Sequence, residues 1–158
     1  MTENRQNYVA FTDGSCDNNK EPHCGGWAFI VFDGKLNHPG VDEAEMVKSG
    51  SFRNTTNNMM ELTDIIQMVR SIPEHSNVVI VTDSQYCITV LDHKTKQFPK
   101  NMPAIEAFRR FTSERDIQYK FHWIKGHSGN VYNEFVDKLA LSEYMKADGF
   151  EMNLEGFV

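Results

Sequence analysis

Acidic side chains in four separate local contexts carry the chemistry that this sequence offers. Asp13 stands in Phe11-Thr12-Asp13-Gly14-Ser15, and Glu61 in Thr55-Thr56-Asn57-Asn58-Met59-Met60-Glu61-Leu62. Asp83 stands in Val81-Thr82-Asp83-Ser84-Gln85-Tyr86, and Asp137 in the run from Asn133 to Ala140. Asp13 and Asp83 close apolar runs patterned as strands; Glu61 and Asp137 lie on runs patterned as helices. A fold that gathers these acids creates a centre of negative charge that stays compact only with cations. Carboxylate oxygens are the ligands that hard divalent ions such as magnesium prefer. Paired metals in such a site are a standard apparatus for breaking phosphodiesters. The leading reading is therefore a metal-dependent nuclease. Taken singly, each acid has a plainer role as turn former, helix cap or solvated surface group; it is their joint occurrence that points to a site.

The elements that must position these residues follow one another without a linker or an internal repeat. Tyr8 to Thr12 is a short apolar strand and Gly26 to Phe32 a second, with the polar, turn-rich stretch Asp17 to Cys24 between them. Asp33-Gly34 is a hairpin-type signal, and a looser strand follows from about Glu45 to Phe52. From Asn57 the period changes: Leu62, Ile65, Ile66 and Val69 fall at helical spacing, and Pro73 marks the end. Glu61 lies one turn before Ile65, on or beside the buried face, where an acid needs a partner or a metal. Val78 to Val81 is a β-branched run of the kind buried on both faces of a sheet. A short helix follows from Ser84, a residue able to cap it, to about Leu91. Ile105, Phe108 and Phe111 mark another helix, and Tyr119 to Ile124 the last strand. Gly126-His127-Ser128-Gly129 is a flexible loop, and Asn130 can cap a final helix on which Asp137 shares a face with Asn133.

This order predicts an α/β fold. Its first three strands are antiparallel, and two more are reached through helical crossovers and run parallel to an earlier strand. Ligands in open α/β sheets bind outside the carboxyl ends of the strands. Asp13 and Asp83 meet there if their strands are neighbours. Trp27 and Trp123 stand in strands, with core packing as the default for both.

Length and composition agree with a single soluble domain over residues 1–158, with a frayed tail from 147. The N-terminus has no apolar signal core, and no stretch reaches membrane-spanning length. Cys16, Cys24 and Cys87 are odd in number and irregularly spaced, which disfavours a disulfide framework and fits a reducing cytoplasm. Cys16, His23, Cys24 and His38 match no standard zinc spacing. The net charge of −6, from 16 Lys and Arg against 22 Asp and Glu, leaves little basic surface for phosphates. Affinity for nucleic acid is expected to be modest and strongly salt-dependent.

Five motifs in order resemble the type 1 ribonuclease H family: Thr12-Asp13-Gly14-Ser15-Cys16; Thr55-Thr56-Asn57-Asn58 with Met60-Glu61-Leu62; Thr82-Asp83-Ser84-Gln85-Tyr86; Trp123-Ile124-Lys125-Gly126-His127-Ser128-Gly129; and Asn133-Glu134-Phe135-Val136-Asp137-Lys138-Leu139-Ala140. The resemblance implies a ribonuclease H-like fold with a five-stranded mixed sheet, and endonucleolytic hydrolysis of the RNA strand of RNA–DNA hybrids. It implies two Mg²⁺ ions, with Mn²⁺ as an alternative, held by Asp13, Glu61, Asp83 and Asp137. One ion activates water and the other stabilises the leaving 3′ oxygen, giving 5′-phosphate and 3′-hydroxyl ends. His127, in its Gly-flanked loop, would shuttle a proton or help to release product. Cys16, Asn57, Asn58 and Gln85 match positions that contact the hybrid in its minor groove, where the RNA 2′ hydroxyls are read, and Thr56 matches a DNA-phosphate contact. The expected partner is the RNA–DNA hybrid, bound by a monomer, with no membrane involved.

The chain departs from that pattern in three places. Asp83 and His127 are 44 positions apart, which leaves no room for the long basic, Trp-bearing protrusion of many bacterial members; only His93 to Lys100 stands in its place. The turn after Asp13 reads Asp17 to Cys24 and is longer than usual, with Asn19 favoured as its substrate-contacting residue. Asn54 takes the place of a base before the threonine pair, and Arg53 stands one position earlier, which in a strand would turn it to the other face. Two other classes remain in view: a nuclease of this fold with another nucleic-acid substrate, and a non-enzymatic nucleic-acid-binding module. The second would be expected to have lost a metal ligand, and all four acids are present.

Overall fold

A computed structural model of the chain describes residues 5–17, 23–92 and 100–146. Asn19, most of the His93–Lys100 stretch and the tail from 147 lie outside the described residues. The elements run β1 (Gln6–Cys16), β2 (Gly25–Asp33), a 3-10 turn (Val41–Glu43), β3 (Met46–Phe52), α1 (Asn57–Ser71), β4 (Ser76–Thr82), α2 (Gln85–Asp92), α3 (Met102–Glu114), β5 (Gln118–Trp123) and α4 (Val131–Met145). They form one five-stranded mixed sheet in the order β3-β2-β1-β4-β5. β1 pairs antiparallel with β2, and β2 with β3, while β4 runs parallel to both β1 and β5.

Strand alternation divides the core in two. Tyr8 and Ala10 of β1 join Val78 and Ile80 of β4 under α1, α2 and α3, with Leu62, Ile65, Val69 and Phe108 among the buried residues. Phe11, Ile30, Phe32 and Val81 point the other way and meet Val136 and Ala140 of α4. The helix starts follow from local chemistry. The hydroxyl of Thr56 accepts the Met59 N–H at 3.1 Å, Ser84 accepts the Cys87 N–H at 3.1 Å, and Asn130 accepts those of Tyr132 and Asn133 at 3.0 and 2.9 Å.

Four expectations need correction. The first strand does not stop at Thr12: β1 continues through Asp13 to Cys16, because its antiparallel partner β2 supplies a ladder as far as Cys16 opposite Gly25. Asp33-Gly34 turns the chain but does not close a tight hairpin, since the 3-10 turn intervenes before β3. β4 is not buried evenly on both faces: α4 packs on β1, β2 and β3, leaving Val79 only partly covered. Trp123 is not a core residue. It is 44% exposed at the end of β5, an edge strand, whereas Trp27 is buried. No helix among the described residues is long and apolar enough to cross a membrane.

Candidate active site

The parallel pairing of β1 and β4 sets the site. Phe11 is opposite Val81, so Asp13 and Asp83, each two residues further on, emerge at the same level of adjacent strands. Beside them α1 starts at Asn57 and brings Glu61 over β1 at close range. A Cβ on Gly14 would lie 2.6 Å from the Glu61 amide nitrogen, so only glycine lets helix and strand approach this far. Carboxylate oxygens of Asp13, Glu61 and Asp83 lie within 4.8 Å of one another. Asp137 of α4 reaches the Asp13 carboxyl group from the other side of the sheet. With His127, Asn57 and Asn58 these acids line one concavity of about 480 Å³ at the carboxyl ends of β1 and β4.

Electrostatics in this cluster are strained. At an effective dielectric of about 20, two unit charges at this separation repel by roughly 3 kcal/mol, a large share of a typical stability of about 5–15 kcal/mol. Asp13 and Glu61 are also 4% and 5% exposed. Burial, reinforced by Glu61, Asp83 and Asp137, pushes the Asp13 carboxyl up to about 10. Burial and then Asp83 raise Glu61 well above the ordinary carboxylate range, against a lowering hydrogen bond from the Gly14 amide. Asp83, more exposed, is raised chiefly by burial, while a hydrogen bond from Glu61 and the nearby His127 work in the opposite direction. Glu61 Oε1 is buried with no hydrogen-bond partner. A set of hard oxygen donors, too close to be ionised together and including an unsatisfied buried oxygen, fits divalent cations.

The loop after β5 completes the rim. Gly126 passes so near Asp83 that a Cβ there would lie 2.8 Å from its Oδ2. His127 follows with a left-handed backbone (φ 57°), a state uncommon among non-glycine residues, and its ring is exposed at the edge of the concavity. The indole N–H of Trp123 donates to the Asp83 carbonyl at 3.2 Å, which ties the end of β5 to the loop that carries Asp83.

The remaining expected contacts scatter around this centre. Asn57 and Asn58 are exposed on the first turn of α1 and border the acids. Thr56 is exposed beside them and serves as the helix cap. Cys16, at the end of β1, is partly buried, its thiol 3.5 Å from the Thr55 carbonyl. Gln85 opens α2 and lines a separate groove with Ile88, Thr89 and Trp123. Arg53 lies one residue beyond β3 and is exposed, so strand alternation does not fix its direction.

Sequence reasoning passed over Asp64. This acid, fully buried on α1, accepts the Asp13 N–H at 2.5 Å. Its signal was available: it falls between Met60 and Met68 at a spacing of four, on the buried face of the helix, where an acid demands an explanation.

Comparison with known proteins agrees with this picture. The family model for RNase H matches residues 5–144. A ribonuclease H of Coxiella burnetii is 33% identical over 153 residues, covering 89% of this chain and 92% of its own. One of Trichodesmium erythraeum is 32% identical over 163 residues, covering 94% and 95%. Among solved structures, a type 1 RNase H with the type 2 active-site motif has a TM-score of 0.70 at 20% identity, covering 91% of this chain and 74% of its own. The N-terminal RNase H domain of a Mycobacterium tuberculosis protein also has a TM-score of 0.70, at 17% identity, covering 90% and 96%.

Proposed function

The chain belongs to the ribonuclease H family, and on that premise we propose that it cleaves the RNA strand of RNA–DNA hybrids endonucleolytically, leaving 5′-phosphate and 3′-hydroxyl ends. The observation that carries the reading is the convergence of Asp13, Glu61 and Asp83 within 4.8 Å at one end of adjacent parallel strands. Asp137 is the fourth acid of the same concavity. These four would hold two Mg²⁺ ions, with Mn²⁺ able to substitute. When bound, the ions supply Lewis-acid activation of water and charge stabilisation of the leaving 3′ oxygen.

The chain's own groups do the rest. The four carboxylates would hold the cations and thereby fix where the scissile phosphate can sit. His127 stands at the solvent-facing rim, where an imidazole can exchange protons with water and carry one to or from the reacting phosphate. Asn57 and Asn58 offer both donors and acceptors beside the acids, as recognition of a 2′ hydroxyl requires. Cys16 and Gln85 extend that contact along the minor groove, and Asn19 is assigned to the same role. Thr56 is assigned the contact with a phosphate of the DNA strand. The enzyme is taken to act as a cytoplasmic monomer, since the odd number and irregular spacing of its cysteines fit a reducing compartment.

Incubation of a hybrid labelled on its RNA strand, with Mg²⁺ or with EDTA, tests the proposal. Internal cleavage with Mg²⁺ is expected, its products ligatable through a 5′-phosphate. The same products in EDTA, or fragments ending in a 2′,3′-cyclic phosphate, would refute the metal-dependent route.

A further inference from the structure

The hydrolytic scheme leaves one buried acid of α1 without a part. Asp64 lies one turn beyond Glu61 and has no exposed surface. Its Oδ2 accepts the Asp13 N–H at 2.5 Å, and the Ala28 N–H donates to the same carboxylate. Asp13 and Ala28 are cross-strand partners of β1 and β2. The side chain thus bridges the two strands at the register that carries Asp13. Oδ1 has no hydrogen-bond partner.

Satisfying two amides does not by itself call for a carboxylate. A neutral acceptor would do so without placing a further acid among Asp13 and Glu61, and a buried carboxyl group with one oxygen unsatisfied is costly. What this side chain adds is a short contact, 2.5 Å, that grips the peptide carrying Asp13. Any rotation of that peptide would swing the Asp13 side chain out of the cluster. We infer that Asp64 is a positioning residue, which clamps the Asp13–Ala28 pair and so holds the Asp13 carboxylate ready for a divalent cation. The inference rests on the reading of Asp13 as a metal ligand.

Calorimetric Mg²⁺ titration of the full chain tests it, alongside thermal melts of each variant. Asp64→Ala removes the acceptor of the Asp13 N–H and is expected to weaken Mg²⁺ binding by roughly 10- to 100-fold, the range seen when a group supporting a metal ligand is lost. Asp64→Asn keeps an acceptor oxygen at the same distance and should restore most of that affinity. A purely architectural residue would lower the melting temperature of Asp64→Ala and leave the Mg²⁺ Kd of the folded protein unchanged. That result overturns the inference, as does an Asn variant that binds as weakly as the Ala variant. Should Asp64→Ala not fold, Asp64→Glu decides: its carboxylate reaches one methylene too far, so weaker Mg²⁺ binding supports the clamp and an unchanged Kd refutes it. A parent protein that binds no Mg²⁺ would instead refute the metal-site reading itself, which keeps the two failures apart.

Discussion

Asp13 sits where burial and three neighbouring acids all oppose its charge, and this governs how the metal-free protein responds to pH. Its folded-state carboxyl is raised from 3.8 to about 10, so the folded chain holds this proton more tightly than the unfolded chain does. The stability it contributes is complete below pH 3.8 and is lost progressively as pH rises towards 10. In EDTA the melting temperature should therefore fall between pH 5 and pH 9, and Mg²⁺ should flatten or reverse that slope by binding the folded state. A metal-free melting temperature that rises across this window would contradict the account. Asp83→Asn removes one repelling charge while keeping the shape. Metal-free melts should show it more stable than the parent by on the order of 1 kcal/mol, after discounting for solvent screening at this partly exposed position, while Mg²⁺-dependent cleavage is abolished. His127→Ala should lower kcat by roughly 10- to 1000-fold and leave Mg²⁺ affinity largely intact, since a proton carrier is lost and no ligand; an unchanged kcat from pH 6 to 9 would assign His127 a structural role. The four motif acids were legible because each stands beside residues of distinctive type. Asp64 was not, because its meaning lies in a contact with β1 and β2 that no local spacing displays.

At the scale of elements, the site depends on how closely α1 crosses β1. Gly14 marks the crossing, and a Cβ there would meet the Met60 carbonyl carbon as well as the Glu61 nitrogen at 2.6 Å. Gly14→Ala should push the first turns of α1 outward, costing about 1–3 kcal/mol as an overpacked contact. Because the displaced turn carries Glu61, it should weaken Mg²⁺ binding and cleavage together. Melts and Mg²⁺ titration of this variant check both effects, and parent-like values in both would show that the crossing is looser than described. The elements themselves were largely readable. Apolar alternation, the Ser84 and Asn130 caps and the Pro73 stop placed strands and helices within a few residues of their bounds. What escaped was set by partners rather than by local pattern. β1 runs past its apolar segment because β2 offers it a ladder, Val79 is only partly covered because α4 leans towards β3, and Trp123 lies at a sheet edge that the sequence does not announce.

Across the whole molecule, the acidic balance of 22 Asp and Glu against 16 Lys and Arg sets the terms of substrate binding. Few cations are available to displace counterions from the hybrid. Its Kd, measured with Ca²⁺ or with an inactive variant, should weaken by roughly 10- to 150-fold between 50 and 200 mM salt, as about two to four phosphate contacts would give. Nanomolar affinity retained at high salt would show a basic surface that the composition does not suggest. The central claim, that this acidic centre hydrolyses RNA only when it is paired with DNA, is tested most directly by one substrate panel. Matched hybrid, duplex RNA and duplex DNA of a single sequence, each strand labelled in turn, would be incubated with the protein and Mg²⁺. The account predicts internal cuts in the RNA strand of the hybrid and in no other strand. Robust cleavage of duplex DNA, or an intact hybrid with either Mg²⁺ or Mn²⁺, would contradict it.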